Sequence, residues 1–533
     1  MNSLPILCLL TPAATAVLVF LWPGGRRAKA WVSVAGMVLL TTLATVLLRE
    51  VWLNGVISLQ LGGWRAPFGI TFVADAFSAM LVLVAGIVGL AVAVHAIDDI
   101  PDDHAAGGFD SFVHLLITGV VGAFLTGDIF NLYVWFEVML IASFALMVLG
   151  GDKVRLDGAV KYVVLNLVST VIFLTSIGLL YGLAGTLNMA DLNERLPEVG
   201  NQGLLTVVSV LFLIAFGIKA AVFPLFFWLP ASYHTLPITV SALFAALMTK
   251  VGVYSLMRVF TLVFTADQAL VQGIVLATAL ATMVVGVLGA MTHTDMRRIL
   301  SYHIIASIGF MLLGLGIGST LAMAASIFYM VHGILVKVLL FMLVGRIAAA
   351  NPDGSFELGR SGGLYKARPG LSVLFLLAAL ALVGVPPLSG FWAKVALVDA
   401  GVAAEAWWVI GVMLAVSLLT FVPLIRIWSE AFWKAAPDRD GGETAGRTGR
   451  VAEASSAAAA ARAADPGRAA GKGDGVPPPP DLRDAPVIVL SVLLLLIGFL
   501  PAPLLSLTDR SAEYLMDPTP YIDSVFGTPE ESP

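Results

Sequence analysis

The sequence predicts an all-α integral membrane protein of about 14 transmembrane helices, in which helices 4–8 and 9–13 form two inverted five-helix repeats, each containing a broken helix. Three observations predict it. Of 533 residues, 59% are hydrophobic and only 12% charged, and the mean hydropathy is +0.94. A water-soluble domain carries about 25% charged residues, so this chain lacks the groups to cover a polar surface. Apolar runs of the roughly 20 residues that a spanning helix needs recur along it. Lysine and arginine also segregate between alternate loops.

The apolar runs cover residues 3–22, 30–48, 74–96, 110–127, 129–150, 156–183, 203–229, 238–264, 268–292, 298–317, 320–348, 370–400, 406–433 and 485–507. The first has no basic residue before it, Arg26, Arg27 and Lys29 after it and no small-residue cleavage pattern, so it reads as a retained helix rather than a leader. With the N-terminus outside, the inner loops hold those three residues, Lys153 and Arg155, Arg297 and Arg298, and Arg360, Lys366 and Arg368. The last inner loop adds Lys434, Arg439, Arg447, Arg450, Arg462, Arg468, Lys472 and Arg483. Outer loops keep Arg49, Arg65, Arg195 and Arg510. This asymmetry predicts a multi-pass protein of a cell inner membrane with both termini outside. The inner loop Asp98–His104 is acidic and runs against it.

The runs divide the chain into N-terminal helices with an outer hairpin (1–109), a first repeat (110–264), a second repeat (265–434), a linker (435–484) and a last helix with an outer tail (485–533). The hairpin is expected within 49–69, where Val56-Ile57-Ser58-Leu59-Gln60-Leu61 alternates before Gly62-Gly63. The linker is rich in Ala, Gly, Pro and Arg and is expected to be disordered. Its position makes the last helix look like a peripheral addition.

Several classes are excluded. A net charge of −5 with no basic face gives no nucleic-acid partner. The single cysteine, Cys8, makes no intrachain disulfide and cannot supply a thiolate cluster, so no metal site and no cofactor are expected. Gly314, Gly316 and Gly318 lie in an apolar span without a preceding strand and read as helix packing, not a phosphate loop.

What remains inside the spans carries the chemistry. Charged groups at bilayer depth are costly and mark ion or proton routes. Glu137 lies in the fifth span, Lys219 in the seventh, Lys250 in the eighth, Lys337 in the eleventh with His332 five residues before it, and Lys394 in the twelfth. The bland alternatives are lysines that snorkel to the interface, plainest for Lys394 near its helix end, and a histidine that is simply hydrogen-bonded. Lys219 has apolar neighbours on both sides and Glu137 is a lone mid-span carboxylate; each needs a partner or a proton. Lysines whose carboxylate partner can be neutralised or moved make a switchable proton site, and several in a row make a lateral relay.

Two spans also contain helix breakers: Pro224 and Pro230 in Phe223-Pro224-Leu225-Phe226-Phe227-Trp228-Leu229-Pro230, and Pro386 and Pro387 in Gly384-Val385-Pro386-Pro387-Leu388-Ser389-Gly390-Phe391-Trp392. A proline frees a carbonyl and unwinds a turn, which membranes tolerate only where protein or water covers it. The two strings share a Pro-Leu-x-Phe-Trp-like pattern and stand five helices apart. An odd interval reverses orientation, which is the layout of inverted repeats around a midplane ion site.

Together with Asp75-Ala76-Phe77-Ser78 opening the third helix, this set resembles the antiporter-like proton-translocating family over roughly residues 70–430. That family includes the membrane-arm antiporter-like subunits of respiratory complex I and the large subunits of Mrp-type sodium/proton antiporters. The resemblance implies a fourteen-helix bundle with a Glu137–Lys219 pair, Lys250 as central relay and Lys394 as terminal site, within a relay of Glu137, Lys219, Lys250, His332, Lys337 and Lys394. A lysine at the twelfth-span position, and the lack of a long C-terminal amphipathic helix with extra spans, argue against other branches. The strings Phe130–Glu137 and Phe223–Pro230 look most like one of the large Mrp subunits.

The resemblance further implies a transporter subunit rather than an enzyme, with no cofactor. It would work beside other membrane subunits of a hetero-oligomeric Na+/H+ antiporter in the lipid bilayer, with protons and Na+ as the transported ions. The alternative is a proton-pumping subunit of complex I or a membrane-bound hydrogenase. A self-contained transporter is a third reading, but sodium sites gather carboxylates and carbonyls and one clear mid-span carboxylate is present. The cation path is therefore expected on a partner.

Overall fold

Burial follows the same apolar runs. In the computed structural model, which describes residues 3–351, 353–435 and 481–527, the chain opens with α1 (Leu4–Leu21) and α2 (Arg26–Asn54), then α3 (Ala76–Asp99), short α4 (Asp102–Ala106), α5 (Phe109–Leu125) and α6 (Ile129–Val148). It continues through α7 (Lys153–Ala184), α8 (Met189–Arg195), α9 (Gln202–Ala220), α10 (Trp228–Ser232), α11 (Ile238–Leu262), α12 (Gln268–Thr292) and α13 (Met296–Ile317). After α14 (Thr320–Ala348) come α15 (Leu364–Ala367), α16 (Pro369–Val383), α17 (Ser389–Ala403) and α18 (Trp407–Trp428), and then α19 (Asp484–Phe499), α20 (Ala502–Met516) and α21 (Thr519–Phe526). Polar caps set many of the starts: Asp128 on α6, Asp152 on α7, Asn201 on α9, Asp295 on α13 and Ser319 on α14 each accept a backbone N–H.

Eleven helices among the described residues are long and apolar enough to cross a membrane, twelve if α19 and α20, bent by 79° at their junction, count as one. The protein is an all-helical integral membrane protein. All fourteen predicted stretches carry helix, yet three depart from single straight spans. The seventh stops at Ala220, the twelfth is split between α16 and α17, and the fourteenth bends where Pro501 and Pro503 interrupt backbone N–H donors.

α11 and α14 are buried along their whole apolar windows and form the hub. α1, α2 and α7 lie at the rim. On α7, Val160, Val164, Leu167, Val171 and Leu174 form an exposed stripe at helical spacing.

Two expectations are corrected. The hairpin pairs β1 (Ile57–Gln60) with β2 (Thr71–Ala74) in the register Ile57↔Ala74, so its second strand lies beyond residue 69. The β-branched Thr71 and Val73 continue the alternation past Gly62 and Gly63, which take positive φ. The last helix is not peripheral either. α20 packs on α14, α3 and α11, and Arg346 of α14 holds Asp481 at 2.6 Å and Asp484 at 2.8 Å. Ion pairs to the central helix, invisible in an apolar scan, fix the segment in place. The predicted disordered linker falls mainly on residues 436–480, outside the described residues.

The acidic inner loop finds its reason at one end of the bundle. Arg26, Arg27, Arg155, Arg297 and Arg483 line a cavity of about 730 Å³ together with Asp98, Asp99 and Asp102. Arg26 pairs with Asp102, and Asp98 accepts the Leu482 N–H. The aspartates partner the basic loops gathered there. Asp481 is held well below the usual carboxylate range, first by its hydrogen bonds from Arg483.

Candidate relay of buried cations

Lys219 ends a helix. α9 stops one residue later, Ala221 turns into the left-handed region at φ 60°, and Pro224 prevents a new helix from starting at once. The break frees backbone groups, and two groups around it gain side-chain partners. Trp228 Nε1 donates to the Ile218 carbonyl at 2.9 Å, and the Phe223 N–H donates to Thr282 Oγ1 at 2.9 Å. Pro230 lies within α10, and its carbonyl accepts from His234 Nδ1 at 2.9 Å. With Ile218 served by the indole, the Lys219 ammonium is directed elsewhere.

It points to α7. Lys219 Nζ donates to Thr170 Oγ1 at 3.3 Å and to the Asn166 carbonyl at 3.4 Å, and lies 5.6 Å from the Phe136 ring centre. Thr170 in turn donates to Glu137 Oε1 at 2.7 Å. A hydroxyl has one proton, so accepting from the lysine and donating to the carboxylate is the one arrangement that serves both. Glu137 and Lys219 are thus joined by a hydrogen-bonded bridge with the Thr170 hydroxyl in the middle. Lys219 is buried and Glu137 half-buried. A cavity of about 10 Å³, lined by Lys219, Asn166, Tyr162 and Met248 among others, is close to the size that holds one water.

Gly252 brings the next lysine close. A Cβ there would stand 2.6 Å from the Ala220 nitrogen, so only glycine lets α11 pack onto the end of α9. Two residues earlier, Lys250 is completely buried and donates to the Ala245 carbonyl of its own helix at 2.5 Å.

The second half gathers around α14. Lys337 is fully buried and its Nζ has no hydrogen-bond partner among the described residues. His332 Nδ1 meets Ser389 Oγ at 2.9 Å, and its Nε2 is buried without a partner. Ser389 opens α17 just after the second break, where Gly384 takes φ 91° and Pro386 and Pro387 interrupt the helix. Lys394, half-buried, donates to the Val383 carbonyl at the end of α16 at 2.6 Å and lies 5.4 Å from the Phe310 ring centre. Lys250 and Lys394 both lie within electrostatic reach of Lys337, so a proton gained by either raises the electrostatic energy of a charge on Lys337.

The structure therefore brings Glu137 and Lys219 together, and His332, Lys337 and Lys394 together, with Lys250 between. Sequence reading missed Thr170, Ser389, His303 and Arg258. His303 of α13 is buried, its Nε2 unpartnered, and it feels the charges of Lys337 and Lys394. Arg258 of α11 donates to Asp75 Oδ2 at 2.6 Å in a pair only 3% and 1% exposed. Its Nε reaches Tyr254 Oη at 3.3 Å, and Tyr254 donates to the Phe124 carbonyl at 2.7 Å. The depth rule that found the lysines would have found His303 and Arg258 too. Nearby, burial raises the Asp128 carboxyl, the cap of α6, to about 6.

Lysines buried on membrane-length helices define the class: membrane proteins that carry ions or protons across the bilayer. Residues 126–420, more than half of the chain, match the family described as NADH:quinone oxidoreductase/Mrp antiporter, TM. The D subunit of the Na(+)/H(+) antiporter of Alkalihalophilus pseudofirmus is 39% identical over 530 residues, covering 99% of this chain and all of that relative. Its counterpart from Bacillus subtilis, also a Na(+)/H(+) antiporter D subunit, is 40% identical over 433 residues, 81% of this chain and 87% of the relative. A chain in the structure of the Mrp complex from a Dietzia species superposes with a TM-score of 0.84 at 31% identity, covering 99% of both chains. This chain belongs to that family, and within it resembles the D subunits of Na+/H+ antiporters.

Proposed function

We propose that this chain is the D-type, proton-translocating subunit of a heteromeric Na+/H+ antiporter, moving protons along Glu137, Lys219, Lys250, His332, Lys337 and Lys394 to drive Na+ export. The observation that carries this reading is the Glu137–Thr170–Lys219 bridge. A proton leaving the Lys219 ammonium for Thr170 Oγ1, as Thr170 passes its own to Glu137, changes the charge of both ends in one step. Lys219 then has a neutral amine and a neutral acid beside it, and a proton can return from the Lys250 side. The small cavity at Lys219 supports transfer through one water.

The fourteen-span count is supported by adding the two shorter apolar helices, α5 and α16, to the long helices and the bent pair. Breaks after α9 and after α16 support two inverted repeats, 110–264 and 265–434. In this reading the basic-loop face is the inner face of a cell inner membrane and both termini lie outside. The exposed stripe of α7 suits lipid or a neighbouring subunit, and the Na+ path lies on a partner. One charge crossing 100 mV releases about 2.3 kcal/mol, so exchanging more than one proton per Na+ drives export.

The test uses everted vesicles from cells that make this chain with its partner subunits, reading Na+-induced proton exchange with a pH-sensitive dye. Glu137→Ala and Lys219→Ala are expected to lower exchange at least about a hundredfold with the complex still assembled. Retained exchange in either assembled variant sinks the relay.

A further inference from the structure

The row of lysines needs a way out to water, and the cavity on the basic-loop face ends at a hydrogen-bonded chain that the relay does not use. Asp99, the last residue of α3, lines that cavity and is 18% exposed at its side chain. Its Oδ2 accepts from Thr239 Oγ1 at 2.5 Å, and Thr239 Oγ1 meets His95 Nδ1 at 2.8 Å. Thr239 is completely buried and His95 is 1% exposed. Because Thr239 spends its one proton on Asp99, Nδ1 of His95 must be the donor in the second bond, which leaves Nε2 as the accepting nitrogen of the neutral ring. That Nε2 is buried and has no partner among the described residues.

From these contacts we propose that Asp99, Thr239 and His95 form a proton port joining the cavity to the buried lysines, a proposal that rests on the proton-translocating reading above. The step balances. Nε2 takes a proton from the interior, Nδ1 gives its proton to Thr239 Oγ1, Thr239 gives its own to Asp99, and Asp99 releases one to the water of the cavity; the reverse sequence loads the row. Thr239 also sits on α11, with Lys250 about three turns further along, roughly 16 Å. Eleven residues return a helix to nearly the same side, so both groups share one face of α11. At the far end of that helix Arg258 is locked to Asp75 in a buried ion pair, and the proposal places the outlet on the cavity side.

The surroundings suit a port. The charged groups that face His95 are Asp99 on its own helix, Arg346 of α14, and Asp481 and Arg483 of the segment leading into α19. Arg346 and Arg483 are both tied to Asp481. Arg483 also lies within electrostatic reach of Asp99.

The experiment uses the same everted vesicles, with Lys219→Ala beside each new variant. Absent exchange in the wild-type complex, or full exchange in Lys219→Ala, overturns the transport reading. If the wild type exchanges and Lys219→Ala does not, the port is tested alone. His95→Gln and Thr239→Val are then expected to lower exchange at least about tenfold, and Thr239→Ser to restore most of it by keeping the hydroxyl. Exchange within twofold of wild type in His95→Gln and Thr239→Val overturns the port, and so does a Thr239→Ser variant as poor as Thr239→Val. Should those variants fail to assemble, Asp99→Cys decides. A membrane-impermeant methanethiosulfonate, located by mass spectrometry of this chain, is expected to modify it in everted vesicles and not in right-side-out ones. Modification from the opposite side alone, or from neither side, overturns the proposal.

Discussion

The two helix breaks solve one problem in opposite ways. After α9, the freed Ile218 carbonyl is taken by a neutral donor, the Trp228 indole, and Lys219 is released to reach Glu137 through Thr170. After α16, no tryptophan is used in this way. Trp392 turns to the Gly498 carbonyl of α19 at 2.7 Å, and Lys394 itself satisfies the Val383 carbonyl. A cation at a helix C-terminus is favoured by the dipole of that helix, so the second break holds its lysine with a backbone carbonyl and the Phe310 ring rather than an acid. The first lysine answers to an acid that can change its charge; the second answers to a carbonyl that cannot. In the proposed relay, the first half would switch and the second would receive.

The largest effects should come from the lysines, and they should differ in kind. Lys219→Ala and Lys394→Ala are both expected to abolish exchange. Only Lys394→Ala also strips the Val383 carbonyl of the donor it has in the structure, and an unsatisfied buried carbonyl costs about 1–3 kcal/mol. Denaturation midpoints of the purified complexes should therefore drop clearly for Lys394→Ala and much less for Lys219→Ala. Equal shifts would break the distinction between the two breaks.

How much of this was legible beforehand follows the same division. Hydropathy placed helix on every predicted stretch, because a chain with so few charged residues must hide its backbone amides in helices. Pro224 with Pro230, and Pro386 with Pro387, marked both breaks, because an imino nitrogen cannot join a helix interior. Glu137 and the lysines stood out because a charge among apolar neighbours is expensive. Thr170 did not stand out. A threonine in an apolar run is normally bonded to its own helix, as Thr175 is to the Val171 carbonyl, and nothing local separates one that bridges two helices. The docking of α19 was hidden for a similar reason: it depends on Arg346 meeting Asp481 and Asp484 across more than a hundred residues. Ranges along the chain were readable, while pairings across it required the fold.

A smaller effect tests the hydroxyl on which the switching half depends. Thr170→Val keeps the shape and removes the donor and acceptor between Lys219 and Glu137, so exchange is expected to fall about tenfold, with Thr170→Ser close to wild type. Vesicle assays at one ionic strength suffice, since both groups are screened from the bath. Full exchange in Thr170→Val would mean that acid and lysine communicate without the hydroxyl, and the first break would then resemble the second.

The smallest effect is the most informative about why the breaks differ. In Trp228→Phe an aromatic ring is kept and the indole N–H is lost, so the Ile218 carbonyl keeps only the Ala221 N–H while Lys219 stands one residue away. Its ammonium is expected to swing toward that carbonyl, which is the arrangement of Lys394 on Val383. Stability should then fall by about 1 kcal/mol, less than for an orphaned carbonyl, because the lysine supplies the missing bond. Exchange should fall a few-fold, because Thr170 has lost its donor for part of the time. The decisive quantity is the coupling. If both changes act on one Lys219 contact, Trp228→Phe and Thr170→Val combined should cost barely more exchange than Thr170→Val alone, whereas independent sites would multiply their effects. Multiplied losses would show that the indole does not control where Lys219 points, and that the contrast between the two breaks has another origin.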